Sequence, residues 1–377
     1  MEKHKVMRVA HFPGSLAGGG VASVVMNLYR NIDKSSVQFD FYVSYGNINA
    51  GFKQYIESNG GNIYLIPQIK RVGVIKYFFL VKKKLKENGP YDYVHIHSIH
   101  MGVLPALSAK SANIKNIIFH SHNTQDPALS RYPFHKVIEN FLRICVNNIC
   151  DFRMACGRQA GLYSFGKHKN FFVLNNGIDL KRFYPYVDNE RRILKEFYGI
   201  PLDKIIVGDI ARFASVKNMN YFVDLAIQDR QKDDDCFFVL VGSGDLLDSV
   251  INNAKENKVY DKFLFAGLQN RVEDFYNMMD IFCLPSYFEG LPVCAVEAQA
   301  CGLPTIVSNY VTEETDMGLG LFYHVQLSPT IWIEYIYKLK NKRICNKEKI
   351  RRVYSIRHYE ISDVSNILCN IYCKHQI

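Results

Sequence analysis

The chain has 377 residues, of which 48% are hydrophobic, 22% charged and 13% aromatic, so it can bury the cores of two or three domains. This composition excludes a disordered chain and a disulfide-rich scaffold. No apolar run approaches the roughly 18 residues that cross a bilayer, and the first 14 residues do not resemble a signal peptide. The ten cysteines form neither a Cys-x-x-Cys pair nor a zinc-like spacing with histidine, so we expect reduced thiols in the cytosol.

The net charge of +10 is spread unevenly along the chain. Residues 1–190 carry 24 Lys and Arg against 12 Asp and Glu, residues 191–337 carry 12 against 21, and residues 338–377 carry 10 against 3. This asymmetry indicates two domains with different surroundings. A basic surface can bind nucleic acid, anionic lipid or an acidic substrate. The acidic second segment argues against nucleic acid as a partner.

Short apolar runs separated by helical patterns follow one another along the chain. Seven lie in the first half: Arg8–Phe12, Phe39–Val43, Asn62–Ile66, Tyr93–His97, Asn116–His120, Phe152–Ala155 and Phe171–Leu174. Six more lie in the second half: Ile205–Ile210, Phe237–Val241, Phe263–Phe265, Ile281–Leu284, Thr305–Ser308 and Leu321–His324. Strands that are apolar on both faces predict parallel sheets covered by helices, and hence two doubly wound α/β units. The polar, proline-containing stretch Lys181–Lys204 is the predicted linker.

A glycine-rich segment, Pro13–Gly20, connects the first predicted strand to a helical pattern. Glycines at such a junction let backbone amides approach an anion, and the helix N-terminus adds partial positive charge. The segment lacks the lysine of a P-loop. It is therefore not a P-loop, and the glycines leave two alternatives open: an anion-binding loop, or a flexible turn packed against a neighbour.

Two cations follow the strand Ile205–Ile210 in the second half. Arg212 and Lys217 are five residues apart and span a predicted strand-to-helix turn, so they can converge on one anion. A diphosphate leaving group gains negative charge as its bond to carbon breaks, and this pair would stabilise it. Two solvated surface charges are the alternative.

Two glutamates flank the start of a predicted helix after Pro285. Glu289 precedes the helix, close to unpaired backbone amides, whereas Glu297 lies within it among apolar residues. A carboxylate buried there needs hydrogen-bond donors, and the two hydroxyls of a ribose would supply them. The alternatives are a helix-end charge for Glu289 and an internal hydrogen bond for Glu297.

These residues resemble the family-4 retaining glycosyltransferases, and in particular the bacterial enzymes that build capsule, exopolysaccharide and O-antigen units. The resemblance spans the chain from the first strand to about Asn309. Six features carry it in family order: the Gly18–Gly20 loop, His122 in Phe119–Asn123, Asn175–Asp179, Arg212 with Lys217, Val241–Asp245, and the Glu-x7-Glu pair Glu289 and Glu297.

The resemblance implies catalytic roles for Glu289, His122, Arg212 and Lys217. It also implies a donor-binding set: Arg212 and Lys217 with the amides of Gly19 and Gly20 for the diphosphate, Glu297 for the ribose, Glu289, Gly290 and Leu291 for sugar and phosphate, His122 for the sugar, and the backbone near Leu268 and Gln269 for the base. Where the family usually has glycine, this chain has Ala211 and Asn218.

The implied fold is GT-B, with two doubly wound Rossmann-like domains facing across a cleft. Residues 1–182 would form the acceptor-side domain, residues 183–350 the nucleotide-sugar domain, and residues 351–377 a helix returning to the first domain. The implied reaction retains anomeric configuration through front-face attack, in which the leaving phosphate takes the acceptor proton. No metal and no cofactor are expected.

We therefore expect a glycosyltransferase (EC 2.4) that moves a sugar from a nucleotide diphosphate, most simply a UDP-sugar, to a lipid-linked or growing glycan acceptor. The alternatives are a nucleotide-sugar epimerase on the same fold and a non-catalytic nucleotide-binding assembly scaffold. The segment Lys70–Lys86 mixes aromatic residues with lysines, which suits an anionic membrane surface, with core packing as the alternative. The expected location is the cytoplasm, peripheral on the inner face of the cell membrane.

Overall fold

The computed structural model describes residues 6–44, 46, 48–124 and 133–374. The chain divides into two compact units, the first made of Met1–Gly177 with Ile361–Ile377 and the second of Ile178–Glu360. The signal-peptide and C-terminal-helix expectations fall partly on residues 1–5 and 375–377, which lie outside the described residues. No helix in the described ranges is long and apolar enough to span a membrane.

The first unit contains a seven-stranded, wholly parallel sheet in the order β3-β2-β1-β4-β5-β6-β7. Its elements, in chain order, are β1 (Met7–Gly14), α1 (Gly20–Asn31), β2 (Val37–Ser44), α2 (Ala50–Ser58), β3 (Ile63–Ile66), α3 (Ile69–Val72), α4 (Val74–Asn88), β4 (Tyr93–Ile96), α5 (Val103–Ser111), β5 (Asn116–Ser121), α6 (His135–Ile149), β6 (Phe152–Ala155), α7 (Arg158–Phe165) and β7 (Phe172–Val173).

The second unit contains a six-stranded parallel sheet in the order β10-β9-β8-β11-β12-β13. Its elements are α8 (Asp188–Phe197), β8 (Ile205–Ile210), α9 (Tyr221–Lys232), β9 (Cys236–Val241), α10 (Leu247–Glu256), β10 (Phe263–Gly267), α11 (Val272–Met278), β11 (Ile281–Leu284), α12 (Val293–Ala300), β12 (Thr305–Ser308), β13 (Phe322–Val325), α13 (Pro329–Leu339) and α14 (Lys347–Ile356). A last helix, α15 (Ile361–Lys374), belongs to the first unit.

Apolar side chains alternate between the two faces of each strand, which explains why helices cover both faces of the sheets. In β1, Ala10 and Phe12 enter an apolar cluster with Tyr77 and Val81 of α4. The residues between them face the other side of the sheet, because successive side chains of a strand point in opposite directions. The predicted doubly wound α/β units are confirmed, and each of the thirteen predicted apolar runs overlaps a strand.

The predicted linker is wrong in part. The polar stretch Lys181–Lys204 contains α8, and its charges are paired within the second unit. Arg191 and Lys195 of α8 lie 2.6 and 3.4 Å from the carboxylate of Asp280. Charge density looked like a solvated connection in the sequence, but these side chains hold the helix to the sheet through Asp280.

The boundaries between the units lie at Gly177 and Glu360, whereas the sequence places them after residues 182 and 350. Hydrogen bonds explain both differences. The amide of Ile178 donates to the carbonyl of Tyr359, and the Tyr354 hydroxyl of α14 donates to the carbonyl of Val296. These contacts keep Ile178 and α14 in the second unit, so only α15 returns to the first.

Candidate active site

The turn after β8 positions the predicted cationic residues of the second unit. The chain forms one turn of 3-10 helix over Ser215–Lys217, and Asn218 follows with a φ of 54°. Asparagine tolerates this left-handed conformation better than most residues, so it can replace the usual glycine. The Asn218 side chain donates to the carbonyl of Pro285 at 3.2 Å, which ties the turn to the loop after β11.

The loop after β9 lies directly against the loop after β8. A Cβ added to Gly242 would lie 2.0 Å from the carbonyl oxygen of Ala211, and one added to Gly244 would lie 2.4 Å from that of Phe213. The amide of Phe213 donates to the carbonyl of Ser243 at 3.0 Å. Glycine is therefore required in this segment because the two backbones touch, whereas Ala211 itself fits.

Lys217 and Glu289 form a largely buried ion pair, with Nζ 2.5 Å from Oε1 and side chains 19% and 11% exposed. The hydroxyl of Ser286 donates to the same carboxylate oxygen at 2.7 Å. Burial alone would lower the pKa of Lys217, but Glu289 and neighbouring groups outweigh burial and raise it, so the lysine keeps its charge. The structure thus brings together two residues that are far apart in the sequence.

Asp209, near the end of β8, is a residue that the sequence analysis missed. Its side chain is fully buried, and neither carboxylate oxygen has a hydrogen-bond partner among the described residues. Burial raises the pKa of Asp209 to about 7, while the charge of Lys217 partly opposes this and that of Glu289 reinforces it. The only signal in the sequence is an acidic residue inside an apolar strand that ends next to a cationic turn.

Arg212 and Leu268 lie on the surface of the second unit. Arg212 is 70% exposed and lies 3.6 Å from the exposed carboxylate of Asp245. Leu268, directly after β10, is 79% exposed, and the side chain of Gln269 donates to the carbonyl of Ala266. The structure does not pair Arg212 with Glu289, so its convergence with Lys217 on one anion stays a prediction.

Glu297 lies in α12, four residues beyond its start. Its Oε2 accepts a hydrogen bond from the Tyr276 hydroxyl at 2.8 Å, so the internal bond that the sequence left as an alternative exists. Although part of the side chain is accessible, burial raises the pKa of Glu297 to about 7. Gly290 and Leu291 connect Glu289 to the Pro292 cap of α12, and Leu291 is buried.

In the first unit, the glycine-rich loop ends at the N-terminus of α1. Gly18 and Gly19 adopt φ values of 124° and 92°, and Gly20 is the first helical residue. A Cβ on any of these three would meet no described atom within 4 Å. Leu16 of the same segment is buried, and its carbonyl accepts a hydrogen bond from the amide of Asn49. The segment is therefore packed at Leu16 and open at Gly18–Gly20, and its anion-binding role stays a prediction.

His122 follows β5 and belongs to a histidine cluster that the sequence analysis did not anticipate. Its Nε2 lies 3.0 Å from Nδ1 of His97, and Nε2 of His97 lies 3.0 Å from Nδ1 of His11. Burial lowers the pKa of His122 to about 4, so the ring is neutral at physiological pH. The pattern His-x-His occurs twice, at His95 with His97 and at His120 with His122, which was the available signal.

Two glycosyltransferase family models match the chain. Residues 190–317 match the family described as glycosyl transferases group 1, and residues 18–182 match glycosyltransferase family 4. The glycosyltransferase-family protein EpsF of Bacillus subtilis (strain 168) is 34% identical over 97% of this chain and 96% of its own. The chain therefore belongs to the group 1 and family 4 glycosyltransferases and is a transferase.

Two further relatives share this family. The Escherichia coli O-antigen biosynthesis glycosyltransferase WclY is 25% identical over 93% of this chain and 94% of its own. The Escherichia coli UDP-Gal:alpha-D-GlcNAc-diphosphoundecaprenol alpha-1,3-galactosyltransferase is 29% identical over 66% and 64%. No finding favours an epimerase or a scaffold.

Solved structures confirm the GT-B fold. Anabaena HepE, crystallised in complex with UDP and glucose, superposes with a TM-score of 0.78 at 14% identity and covers 97% of this chain and 98% of its own. The lipopolysaccharide glycosyltransferase WaaG superposes with a TM-score of 0.70 at 14% identity, covering 97% and 99%.

Replacing Asp209 with Asn should make the stability of the second unit less dependent on pH. The folded-state pKa of about 7 exceeds the ordinary value of 3.8, so wild-type stability falls as pH rises between these values. The unfavourable contribution is complete above about pH 7 and amounts to at most about 4 kcal/mol. Urea unfolding from pH 4.5 to 8.5, followed by the fluorescence of the single, buried Trp332, measures this directly.

The matched control is Asp203→Asn, because Asp203 is exposed and lies just before β8. Its stability curve should run parallel to that of the wild type. An Asp209→Asn curve that also runs parallel would contradict the raised pKa.

Proposed function

We propose that this glycosyltransferase moves a sugar, with retention, from a UDP-sugar to a lipid-linked or growing glycan acceptor in bacterial surface polysaccharide synthesis. The observation that carries the proposal is the buried cluster of Lys217, Glu289 and Ser286 where β8 and β11 end. The carboxyl ends of parallel strands are where open α/β sheets bind ligands. The relatives named above and the UDP complex of HepE supply the choice of donor and acceptor.

In this proposal Lys217 and Arg212 stabilise the leaving diphosphate. The bond between the anomeric carbon and the phosphate oxygen breaks, and its electron pair leaves with UDP. The acceptor hydroxyl attacks from the same face and gives its proton to the leaving phosphate. A charged lysine held in place by Glu289 is already oriented for this developing charge, so little reorganisation is needed.

The other predicted residues complete the donor site in this proposal. Glu297 accepts hydrogen bonds from the ribose, and the amides of Gly19 and Gly20 bind the diphosphate. Glu289, Gly290 and Leu291 address the sugar and its phosphate, His122 contacts the sugar, and the backbone near Leu268 meets the base. No divalent cation at the diphosphate is required, because the two basic side chains provide the charge.

A nucleotide panel tests the donor first. Purified protein is heated with UDP, GDP, ADP or CMP, and a ligand that binds only the folded chain must raise its melting temperature. We expect a selective shift with UDP and UDP-sugars. A shift with another nucleotide alone would reject uridine, and incubation of the UDP-sugars without acceptor separates a transferase from an epimerase.

UDP affinity should rise with pH up to about pH 7 and then level off. Glu297 has a pKa of about 7, and only its carboxylate form accepts both ribose hydroxyls. Below that pKa, affinity should fall by at most about tenfold per pH unit. Calorimetric titration from pH 5.5 to 8.5 measures the profile, and Glu297→Gln should flatten it and weaken UDP binding at pH 8. An unchanged profile in this variant would remove Glu297 from the nucleotide site.

Lys217→Met should lower kcat by about 100-fold or more, as loss of one preorganised charged donor does. The comparison variant is Lys255→Met, because Lys255 is an exposed lysine of the same unit. Melting curves monitored by Trp332 exclude unfolding as the cause. Turnover of Lys217→Met within tenfold of the wild type would contradict the role of Lys217 at the leaving diphosphate. A requirement of the wild-type enzyme for added Mn²⁺ would contradict a metal-free diphosphate site.

We also propose that the first unit binds the cytoplasmic face of an anionic membrane. α4 buries Tyr77, Val81 and Leu85 but exposes Ile75 and Phe79 alongside its lysines. An exposed apolar series also runs along α6 and its start, namely Phe134, Val137, Phe141 and Ile144. Both helices also contribute buried residues to one apolar cluster of the first unit, so each packs one face on the core and exposes apolar side chains elsewhere. This combination suits anionic lipid better than water.

Replacing Lys82, Lys83 and Lys84 together by Gln should reduce binding to vesicles containing phosphatidylglycerol. Each lysine near an anionic surface contributes about 1 kcal/mol, so affinity should fall by roughly 100-fold at low salt. The control variant removes the same charge from the second unit by replacing three exposed lysines together with Gln: Lys255, Lys342 and Lys349. Cosedimentation measures both, and an equal loss in the two variants would reject a specific membrane surface.

A further inference from the structure

Five histidines line one face of the sheet in the first unit. They come from the three neighbouring strands β1, β4 and β5 or directly follow them: His11, His95, His97, His120 and His122. All five are at most 8% exposed. Histidine is rarely fully buried in such numbers, because each neutral ring brings one donor and one acceptor that must be satisfied.

Three of these rings point potential ligand atoms at one another. One nitrogen from each of His97, His120 and His122 lies within 4.8 Å of the other two. Nδ1 of His97 and Nε2 of His122 are 3.0 Å apart. Two imidazole nitrogens on one tetrahedral Zn²⁺ would be separated by about 3.3 Å, given Zn–N bonds of about 2.0 Å.

His120 is the least satisfied member of this group. It is 1% exposed, and neither ring nitrogen has a hydrogen-bond partner among the described residues. A neutral buried imidazole with an unused lone pair is the form that binds a metal.

The hydrogen bonds that start at Nε2 of His97, the nitrogen not facing the cation, can have the direction that a metal ligand needs. If Nδ1 of His97 holds a cation, its Nε2–H donates to Nδ1 of His11 at 3.0 Å. Nε2–H of His11 then faces the Tyr372 hydroxyl at 3.5 Å, which donates to Nδ1 of His95 at 2.5 Å. Metal-bound histidines typically donate their second N–H in this way, which fixes the ring and its tautomer.

We propose that His97, His120 and His122 bind one divalent cation of the zinc class. The ligand set is imidazole only, which suits Zn²⁺ and other late first-row metals rather than Mg²⁺ or Ca²⁺. The other possible group, His11, His95 and His97, is the weaker candidate, because both ring nitrogens of His11 already face a partner: Nδ1 faces His97, and Nε2 faces the Tyr372 hydroxyl. The site fixes the ends of β4 and β5 and shares His122 with the proposed donor site, whereas His97 and His120 have no part in that donor site.

Metal titration of tag-free, chelator-treated full-length protein tests this site. Zn²⁺ is titrated against a chromophoric competitor, and Co²⁺ is added separately so that its visible d–d absorption reports the coordination. We expect one Zn²⁺ per chain and a Co²⁺ spectrum of a four-coordinate site. His120→Asn should weaken Zn²⁺ binding by about 100-fold or more, and His11→Phe by roughly 10–100-fold with the Co²⁺ spectrum retained.

The control is His168→Asn, because His168 is an exposed histidine of the same unit and should bind as the wild type does. Two results would overturn the proposal: no stoichiometric Zn²⁺ in the wild type, or equal affinity in His120→Asn and the wild type. If His120→Asn does not fold by circular dichroism, His120→Gln takes its place. Stoichiometry and the Co²⁺ spectrum of the wild type decide the question without any variant.

Discussion

Parallel pairing is the constraint on which the candidate active site depends. Because neighbouring strands run in the same direction, their carboxyl ends meet at one edge of each sheet. β8 and β11 are neighbours, so the turn carrying Lys217 meets the loop carrying Ser286 and Glu289, about 70 residues later. A buried ion pair contributes little net stability, since desolvation offsets attraction. Its value lies in holding a charged lysine at a fixed position.

Much of the fold was predictable because both sheets are buried on two faces. Such strands appear as short apolar runs, and all thirteen were found in this way. The linker was not predictable, because α8 is stabilised by partners distant in the sequence. Arg191 and Lys195 look like solvated charges until Asp280 is placed beside them. A highly charged segment is exposed to solvent only when no oppositely charged residue packs against it in the folded chain.

Candidate residues in segments that resemble the family could be named from the sequence, whereas buried polar residues outside those segments were missed. Lys217 and Glu289 stand in short segments whose spacing resembles the family, so each could be named. Asp209 and His97 occupy or directly follow strands among apolar neighbours. Their unusual environment arises from contacts across strands, such as the 3.0 Å approach of His97 to His122. A polar residue inside an apolar run is the signal to follow in such cases.

Local placement, and not net charge, decides where this chain can hold an anion. Residues 191–337 carry 12 basic against 21 acidic residues, yet Lys217, the cation that we propose stabilises the diphosphate, lies among them. Charges more than about 8 Å away are largely screened at physiological salt, so the exposed acidic residues cannot cancel a lysine in contact with its ligand. They do remove long-range attraction for anions. In the proposed donor site, short hydrogen bonds must therefore supply most of the affinity for the diphosphate.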